Sequence, residues 1–279
     1  MVPADTGRGR GAADRLTCMP DVRTWLKHRR EARTLSQRAI PEPLWQLTLA
    51  RFPFLGWRSD DDLAQLRSMA TLFLAQKEFT GAHGLEVDDA MAVAIAAQAC
   101  LPVLRLGLDW YDGFVGIVVH ADVVVAQREF VDDAGVVHAY EEELSGEAMQ
   151  GGPVMLSWTD VSEAGASADV GYNVVIHEFA HVLDMRNGGA DGVPALPDRA
   201  AREAWLQVLT ADYDDFCARV DTDEDTLLDP YAAEAPEEFF AVASEAFFVA
   251  PADLAAEHPR FYALLRDFFR QDPAAFPQQ

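Results

Sequence analysis

The chain has 279 residues, 50% of them hydrophobic, and a formal net charge of −24 from 22 basic and 46 acidic residues. This size permits one large domain or two small ones, and the acidic balance argues against nucleic-acid or anionic-membrane partners. The sequence contains no apolar run of about 20 residues that would span a membrane, and its first residues lack the apolar segment of a secretory signal, so none is expected. Its three cysteines form no disulfide framework, so a cytoplasmic location is predicted.

The predicted elements change in type along the chain. Residues 1–38 are expected to form a flexible tail and a short helix, and residues 39–274 a single domain. The residue pattern predicts helices over 44–52, 63–79 and 88–100, a strand over 116–125, a hairpin over 130–140, a strand over 152–161, and helices over 172–186, 198–220, 234–249 and 251–270. Helices, a small sheet and further helices in this order indicate an α+β fold.

The predicted helix over 172–186 contains the motif HEFAH at residues 177–181. His177 and His181 are four residues apart, so on a helix they stand one turn apart on one face and can bind one Zn²⁺. Glu178 can then reach a water molecule at the metal and act as general base. Because the flanking residues are apolar, a charged Glu178 needs a partner, which favours a metal site over two structural histidines.

A catalytic zinc site of this kind uses a third protein ligand, which must lie downstream of the motif. A third histidine at the HExxHxxGxxH spacing is absent, because Asp184 and Asn187 occupy the two required positions. Glu203 has roughly the spacing of the glutamate ligand in thermolysin-like enzymes, but its surroundings are typical of a solvated helix face.

A better source of the third ligand is the aromatic helical segment YAAEAPEEFFAVASEAFF, residues 231–248. Carboxylates in such surroundings are costly unless they are paired or bind a metal. Glu238 and Glu245 are seven residues apart, two turns along one helix face. The residues alone leave these two glutamates as equal alternatives.

Several segments of the chain point together to one known family. They are HEFAH with the following LDMRNG, the strand GPVMLSW, the segment YAAEAPEEFFAVASEAFF, and the upstream stretches IPEPLW, KEFTGAHGLEV, IAAQACLPVLRLGLDWY and GEAMQGGPV. From about Ile40 to Pro273, the chain resembles the Mlc titration factor A family of zinc peptidases. The resemblance implies a zincin-like metallopeptidase domain with a small mixed sheet, an HExxH active-site helix and one zinc ion.

The resemblance also distinguishes the two glutamates. The site of this family is similar to that of the anthrax lethal factor catalytic domain, in which a tyrosine lies seven residues before the glutamate ligand. Tyr231 lies seven residues before Glu238, so the resemblance implies His177, His181 and Glu238 as metal ligands, with Glu245 supporting them. Tyr231 can donate a hydrogen bond to the developing oxyanion, or can be a packing residue at a helix start.

Two further features have alternative interpretations. Asp184 follows His181 by three residues, so it can hold the second N–H of a ligand imidazole or bond to the turn after the helix. Residues 152–158 are predicted to form the sheet edge beside the cleft, where a peptide substrate would add as an antiparallel strand.

The predicted function is zinc-dependent hydrolysis of peptide bonds, of an aminopeptidase type by the family resemblance. The alternative is a regulatory binding protein. Family members in enteric bacteria bind and inactivate the glucose-responsive repressor Mlc, which links them to control of sugar phosphotransferase genes. A peptide substrate is therefore expected, and a transcriptional repressor is a partner implied by the resemblance only.

Overall fold

The computed structural model describes residues 22–131, 137–166 and 171–276. The helices are α1 (Val22–Arg38), α2 (Glu42–Arg51), α3 (Asp60–Gln76), α4 (Asp89–Cys100), α5 (Trp158–Glu163), α6 (Val174–Asp184), α7 (Arg199–Val220), α8 (Pro236–Val249), α9 (Pro251–Glu257) and α10 (Pro259–Phe269). The strands are β1 (Glu78–Gly81), β2 (Gly116–His120), β3 (Val124–Val131), β4 (Val137–Leu144), β5 (Gly146–Ala148) and β6 (Val154–Ser157). The α+β class is confirmed. The order differs from the prediction at one place, because the helix predicted over 63–79 ends at Gln76 and the strand β1 follows it before α4.

Two predicted strands are shorter than expected, because polar side chains bond to the backbone and turn the chain. The strand predicted over 116–125 is divided into β2 and the start of β3, where the Asp122 carboxylate accepts the N–H of Val123. The strand predicted over 152–161 ends at Ser157, whose hydroxyl accepts a hydrogen bond from the N–H of Asp160 and caps α5.

Other predicted elements differ from the observed ones in where they begin and end. The helix predicted over 251–270 is two helices, since Pro259 begins α10 and the residue before a proline is disfavoured in helical conformation. β3 and β4 pair as the predicted antiparallel hairpin, whereas its DDAG turn lies outside the described residues. The predicted tail before residue 22 also lies outside them, and α1 falls where the short helix was expected.

The main sheet has the strand order β1-β2-β6-β5. β1, β2 and β6 run parallel, and β5 runs antiparallel to β6, so the sheet is mixed as predicted. The prediction that residues 152–158 form the sheet edge is wrong, because β6 has a neighbour on each side. The edge strand is β5, which has three residues. A strand this short shows no detectable alternation of apolar and polar residues, so the sequence did not predict it.

The helix α6 is held against the core by its aromatic residue. The Phe179 ring packs against Phe73, Tyr111 and Phe114 with ring centroids 5.0–5.8 Å apart. α8, buried continuously from Phe239 to Val249, packs along the same helix. This packing brings α8 beside the two histidines of α6, and the first of them, His177, lines a cavity. Within the described residues, no helix has the length and apolar character needed to cross a membrane.

Candidate metal centre

The HEFAH motif lies in α6, as predicted. The helix starts after Asn173, whose side-chain oxygen accepts a hydrogen bond from the N–H of Ile176 at 3.0 Å and so caps the first turn. The His177 and His181 side chains are largely buried, and Glu178 is buried between the helix and the sheet edge. A local helical period therefore presents both imidazoles on one face.

The structure brings together the three residues that the sequence analysis assigned as ligands. His177 Nε2 and His181 Nε2 are 3.1 Å apart, and Glu238 Oε2 is 3.2 Å from the first and 3.3 Å from the second. Within the described part of the chain, His177, His181 and Glu238 form the group of histidine, cysteine and carboxylate side chains close enough to share one ion.

The spacing of these three atoms fits a tetrahedral zinc site. Zinc lies about 2.0–2.1 Å from nitrogen and oxygen ligands, so neighbouring ligand atoms of a tetrahedral site are roughly 3.3 Å apart. Glu238 Oε2 is also buried without a hydrogen bond of normal geometry among the described residues. A buried carboxylate oxygen without a hydrogen bond destabilises the folded state, and a bound cation beside it would remove this destabilisation.

The two glutamates of α8 contact different atoms of His177. Glu238 lies in the first turn of α8 and approaches Nε2 of both histidines, whereas Glu245 Oε1 lies 2.7 Å from His177 Nδ1. If His177 carries its proton on Nδ1 and donates it to Glu245, its Nε2 lone pair faces the other two ligand atoms. This arrangement favours Glu238 as the ligand and Glu245 as the residue that orients the imidazole.

The electrostatics of the centre follow from burial and close packing of charges. Burial acts to raise the pKa of Glu238, but the two neighbouring imidazoles outweigh it and hold that pKa well below its usual range. Burial acts to lower the pKa of His177, and the neighbouring carboxylates of Glu238 and Glu245 outweigh this effect and raise that pKa. The site therefore concentrates negative charge around the imidazoles, as a site for a cation requires.

Glu178 is a buried carboxylate beside the same centre. Burial raises its pKa to about 7, and its Oε2 has no hydrogen-bond partner within the described residues. It lies directly under the edge strand, since a Cβ placed on Gly146 would be 2.5 Å from Glu178 Oε1. The absence of a side chain at position 146 thus leaves the space that this carboxylate occupies.

Tyr231 lines a cavity of about 620 Å³ beside the centre. Its ring centroid is 6.1 Å from that of His177, and the residue is 40% exposed. Asp229 accepts a hydrogen bond from the Tyr231 N–H at 2.8 Å and so fixes the short turn that carries the tyrosine. The predicted oxyanion donor is therefore close to the centre and open to the cavity.

Two other acidic residues considered in the sequence have structural partners. Asp184 Oδ2 accepts hydrogen bonds from the N–H groups of Asp191 and Gly192, at 3.0 and 2.7 Å, which favours its role in the loop after α6. Glu203 is exposed on α7 and forms an ion pair with Arg199 on the same helix. Its interpretation as part of a solvated helix face is confirmed.

Sequence reasoning missed Gly146 and Asn173, which contact Glu178 and Glu245, and Gln98, which bonds to Asn173. An asparagine directly before an apolar helix is a known N-cap signal, and a single glutamine in the apolar run MAVAIAAQAC was a visible anomaly. Gly146 offered no such signal, because its importance lies in the approach of another segment.

Comparison with known proteins defines the class of this protein. A family model described as glucose-regulated metallo-peptidase M90 matches residues 25–270, so the chain belongs to a metallopeptidase family. More particularly, the chain belongs to the Mlc titration factor A family. The match starts within α1, so the family's region begins earlier than the resemblance from Ile40 indicated.

Individual relatives cover most of the chain. It is 38% identical to Mlc titration factor A of Salmonella arizonae over 234 residues, which are 83% of this chain and 92% of the relative. It is 38% identical to the protein of the same name from Klebsiella pneumoniae, over 83% of this chain and 87% of the relative. With the Escherichia coli protein it shares 37% identity over 85% of this chain and 88% of the relative.

Proposed function

We propose that this protein is a zinc-dependent peptidase in which His177, His181 and Glu238 hold the metal. The observation that carries the proposal is the set of three ligand atoms 3.1–3.3 Å apart, one of which belongs to His177 in the lining of a cavity. Membership of a metallopeptidase family supports it. Zinc, when bound, supplies a Lewis acid that polarises a carbonyl and lowers the pKa of water towards about 7.

The residues around the metal have distinct roles in this proposal. Glu178 accepts a proton from the attacking water, whose oxygen bonds to the carbonyl carbon of the substrate. Glu178 then passes that proton to the amide nitrogen as the carbon–nitrogen bond breaks. Tyr231 donates its hydroxyl hydrogen bond to the carbonyl oxygen while that oxygen gains negative charge. Glu245 holds the His177 imidazole in the required orientation.

The cavity supports a substrate with an uncharged side chain and a free amino terminus. Its apolar wall is formed by Val174, Leu227, Leu228, Val242 and Ala246. The charged side chains that line it include the carboxylates Glu178, Asp229 and Glu245, and no lysine or arginine is among its described lining residues. Such a cavity attracts an ammonium group and repels an acidic side chain, which suits an aminopeptidase.

The edge strand β5 offers a binding site for the substrate backbone. Among the described residues β5 pairs with β6 alone, and Gly146, its first residue, lines the cavity beside His177. An extended peptide can add to such an edge through main-chain hydrogen bonds. In this proposal the scissile bond lies beside Glu178, which is packed directly under Gly146.

Metal removal tests the proposed function. The purified protein is expected to contain one zinc ion per chain and to hydrolyse alanine p-nitroanilide. Dialysis against a chelator should abolish hydrolysis, and one equivalent of zinc should restore it, because the Lewis acid is required for the reaction. N-acetylalanine p-nitroanilide, which lacks the free ammonium group, should be a poorer substrate. A purified protein that contains no zinc and binds none would contradict the proposal.

Replacing Gly146 with alanine is expected to reduce kcat/KM about 100-fold while zinc content is unchanged. The new methyl group would meet the Glu178 carboxylate at 2.5 Å, and the carboxylate has to move. Displacement of about 1 Å in a catalytic group is enough for a loss of this size. Gly113→Ala is the matched control, since a Cβ there meets no atom within 4 Å. Equal activity of both variants would exclude a role for the Gly146–Glu178 contact.

The second candidate function is regulatory binding of a transcriptional repressor. The observation that favours it is the name of the relatives, Mlc titration factor A, at 37–38% identity. We propose that binding of this kind, if the host has such a repressor, is independent of hydrolysis. A Glu178→Gln protein used as bait should then retain the repressor as well as the unmodified protein does. Loss of binding in this variant alone would contradict that independence.

A further inference from the structure

A buried chain of polar side chains connects α4 to the candidate metal centre. It consists of Gln98 in α4, Asn173 before α6 and Glu245 in α8, which are 0%, 0% and 1% exposed. The other residues of α4 from Val93 to Cys100 are apolar. A polar side chain in such surroundings destabilises the fold unless it is bonded, so the position of Gln98 calls for a specific partner.

The hydrogen bonds of the two amides determine each other's orientation. Gln98 Nε2 donates to the carbonyl of Ala94 at 3.1 Å, and its Oε1 accepts from Asn173 Nδ2 at 2.8 Å. Asn173 Oδ1 accepts from the N–H of Ile176 at 3.0 Å. The Ala94 carbonyl only accepts, so it must face the NH₂ group of Gln98, and the Ile176 N–H only donates, so it must face the side-chain oxygen of Asn173. In these orientations the NH₂ group of Asn173 faces the side-chain oxygen of Gln98, as the hydrogen bond between them requires.

The backbone N–H of Asn173 extends this series of hydrogen bonds to the metal centre. Its N–H donates a short hydrogen bond to Glu245 Oε2, and the other oxygen of Glu245 lies 2.7 Å from His177 Nδ1. One residue thus caps the helix that carries both histidines and holds the carboxylate that orients the first of them. Gln98 thus provides a side-chain hydrogen bond between α4 and the residue that caps α6.

We infer that Gln98 is a positioning residue for the metal centre, which it influences through Asn173 and Glu245. The inference rests on the proposed function, since it concerns the same zinc site. Held by Gln98, Asn173 keeps the start of α6 and the Glu245 carboxylate in the positions that direct His177 Nε2 towards Glu238. Gln98 makes this contribution without contact to the metal ligands.

The expected consequence is a change in metal affinity. Gln98→Met keeps the approximate length and volume of the side chain but removes both polar atoms, so Asn173 Nδ2 is left buried without a partner. Loss of a residue that supports a metal ligand typically weakens metal binding 10- to 100-fold. Because Gln98 acts through two intervening residues, we expect about the lower end of that range, a tenfold increase in the zinc dissociation constant.

The experiment measures the zinc dissociation constant by competition with a chromogenic chelator, and the visible absorption spectrum of the cobalt-substituted protein. The variants are Gln98→Met, Asn173→Ser and the double variant. Serine retains an oxygen that can cap α6 and a backbone N–H for Glu245, but it cannot reach Gln98. Gln65→Met is the control for the substitution itself: Gln65 is an exposed residue of α3 that also donates to a backbone carbonyl, that of Leu104 at 2.8 Å.

Each result decides between a positioning and a merely structural role. We expect both single variants to bind zinc about tenfold more weakly with an altered cobalt spectrum, and the control to be unchanged. The double variant should bind zinc about as weakly as either single variant, because both substitutions break the same hydrogen bond. If Gln98→Met does not fold, Asn173→Ser alone carries the test. The inference would be overturned if the single variants had the zinc affinity and cobalt spectrum of the unmodified protein. It would also be overturned if the control lost as much zinc affinity as they do. Absence of zinc binding by the unmodified protein would instead overturn the proposed function.

Discussion

Replacing Glu178 with glutamine is expected to lower kcat/KM roughly 10²- to 10⁴-fold while the zinc content stays at one ion per chain. The two side chains have the same shape, but the amide cannot accept the proton of the attacking water, and general base catalysis typically contributes an effect of this size. Zinc should be retained because the proposed ligand atoms belong to His177, His181 and Glu238. Aminoacyl nitroanilide hydrolysis and metal analysis by mass spectrometry are the two measurements.

The folded state should tolerate this substitution. Glu178 is buried and its pKa is raised to about 7 by desolvation, so a neutral amide of equal size removes the cost of burying a charge. Glu203→Gln is the matched control, because Glu203 is an exposed glutamate on α7. Its activity should equal that of the unmodified protein. A fully active Glu178→Gln protein in a metal-loaded preparation would eliminate Glu178 as the general base.

Replacing Glu238 with alanine is expected to remove zinc, whereas Glu245→Ala should retain it with weaker binding. Glu238 Oε2 lies 3.2 and 3.3 Å from the two Nε2 atoms, so its loss deletes one of three proposed ligands. Glu245 contacts the opposite ring nitrogen of His177, and loss of such a supporting partner typically costs 10- to 100-fold in affinity. The loss in Glu238→Ala should exceed that range. Zinc competition measures both.

The comparison requires a check on folding, because Glu245 is buried and also accepts the N–H of Asn173. Thermal unfolding of the metal-free proteins gives that check. If Glu245→Ala lost zinc and Glu238→Ala kept it, the assignment of the third ligand would be reversed.

The helix α6 and its two histidines were predictable because they depend on local periodicity alone. Residues four apart meet on one face of any α-helix, and the apolar residues around HEFAH require that the helix be packed into a core. α7 and α8 were also predicted from local periodicity, and their observed bounds lie within two residues of the predicted ones. Where side chains compete with the backbone, as at Asp122 and Ser157, the predicted strands extended too far.

The choice between Glu238 and Glu245 could not be made from the periodicity of α8. Two turns separate them on the same face, so helical geometry makes them equivalent. They differ only in where α8 crosses α6, which places one carboxylate at Nε2 of His177 and the other at Nδ1. The resemblance to a family favoured Glu238, and the distances agree with that choice.

The sequence by itself determined the metal-binding motif, the α+β class and the family, because each rests on residue types and short spacings along the chain. Only the tertiary structure decided which strand forms the sheet edge, why position 146 is a glycine and what Gln98 bonds to. These features depend on segments far apart in sequence: Gly146 approaches Glu178, and Gln98 meets Asn173 across 75 residues. Contacts of this kind arise from packing between elements, which no local pattern of residues encodes.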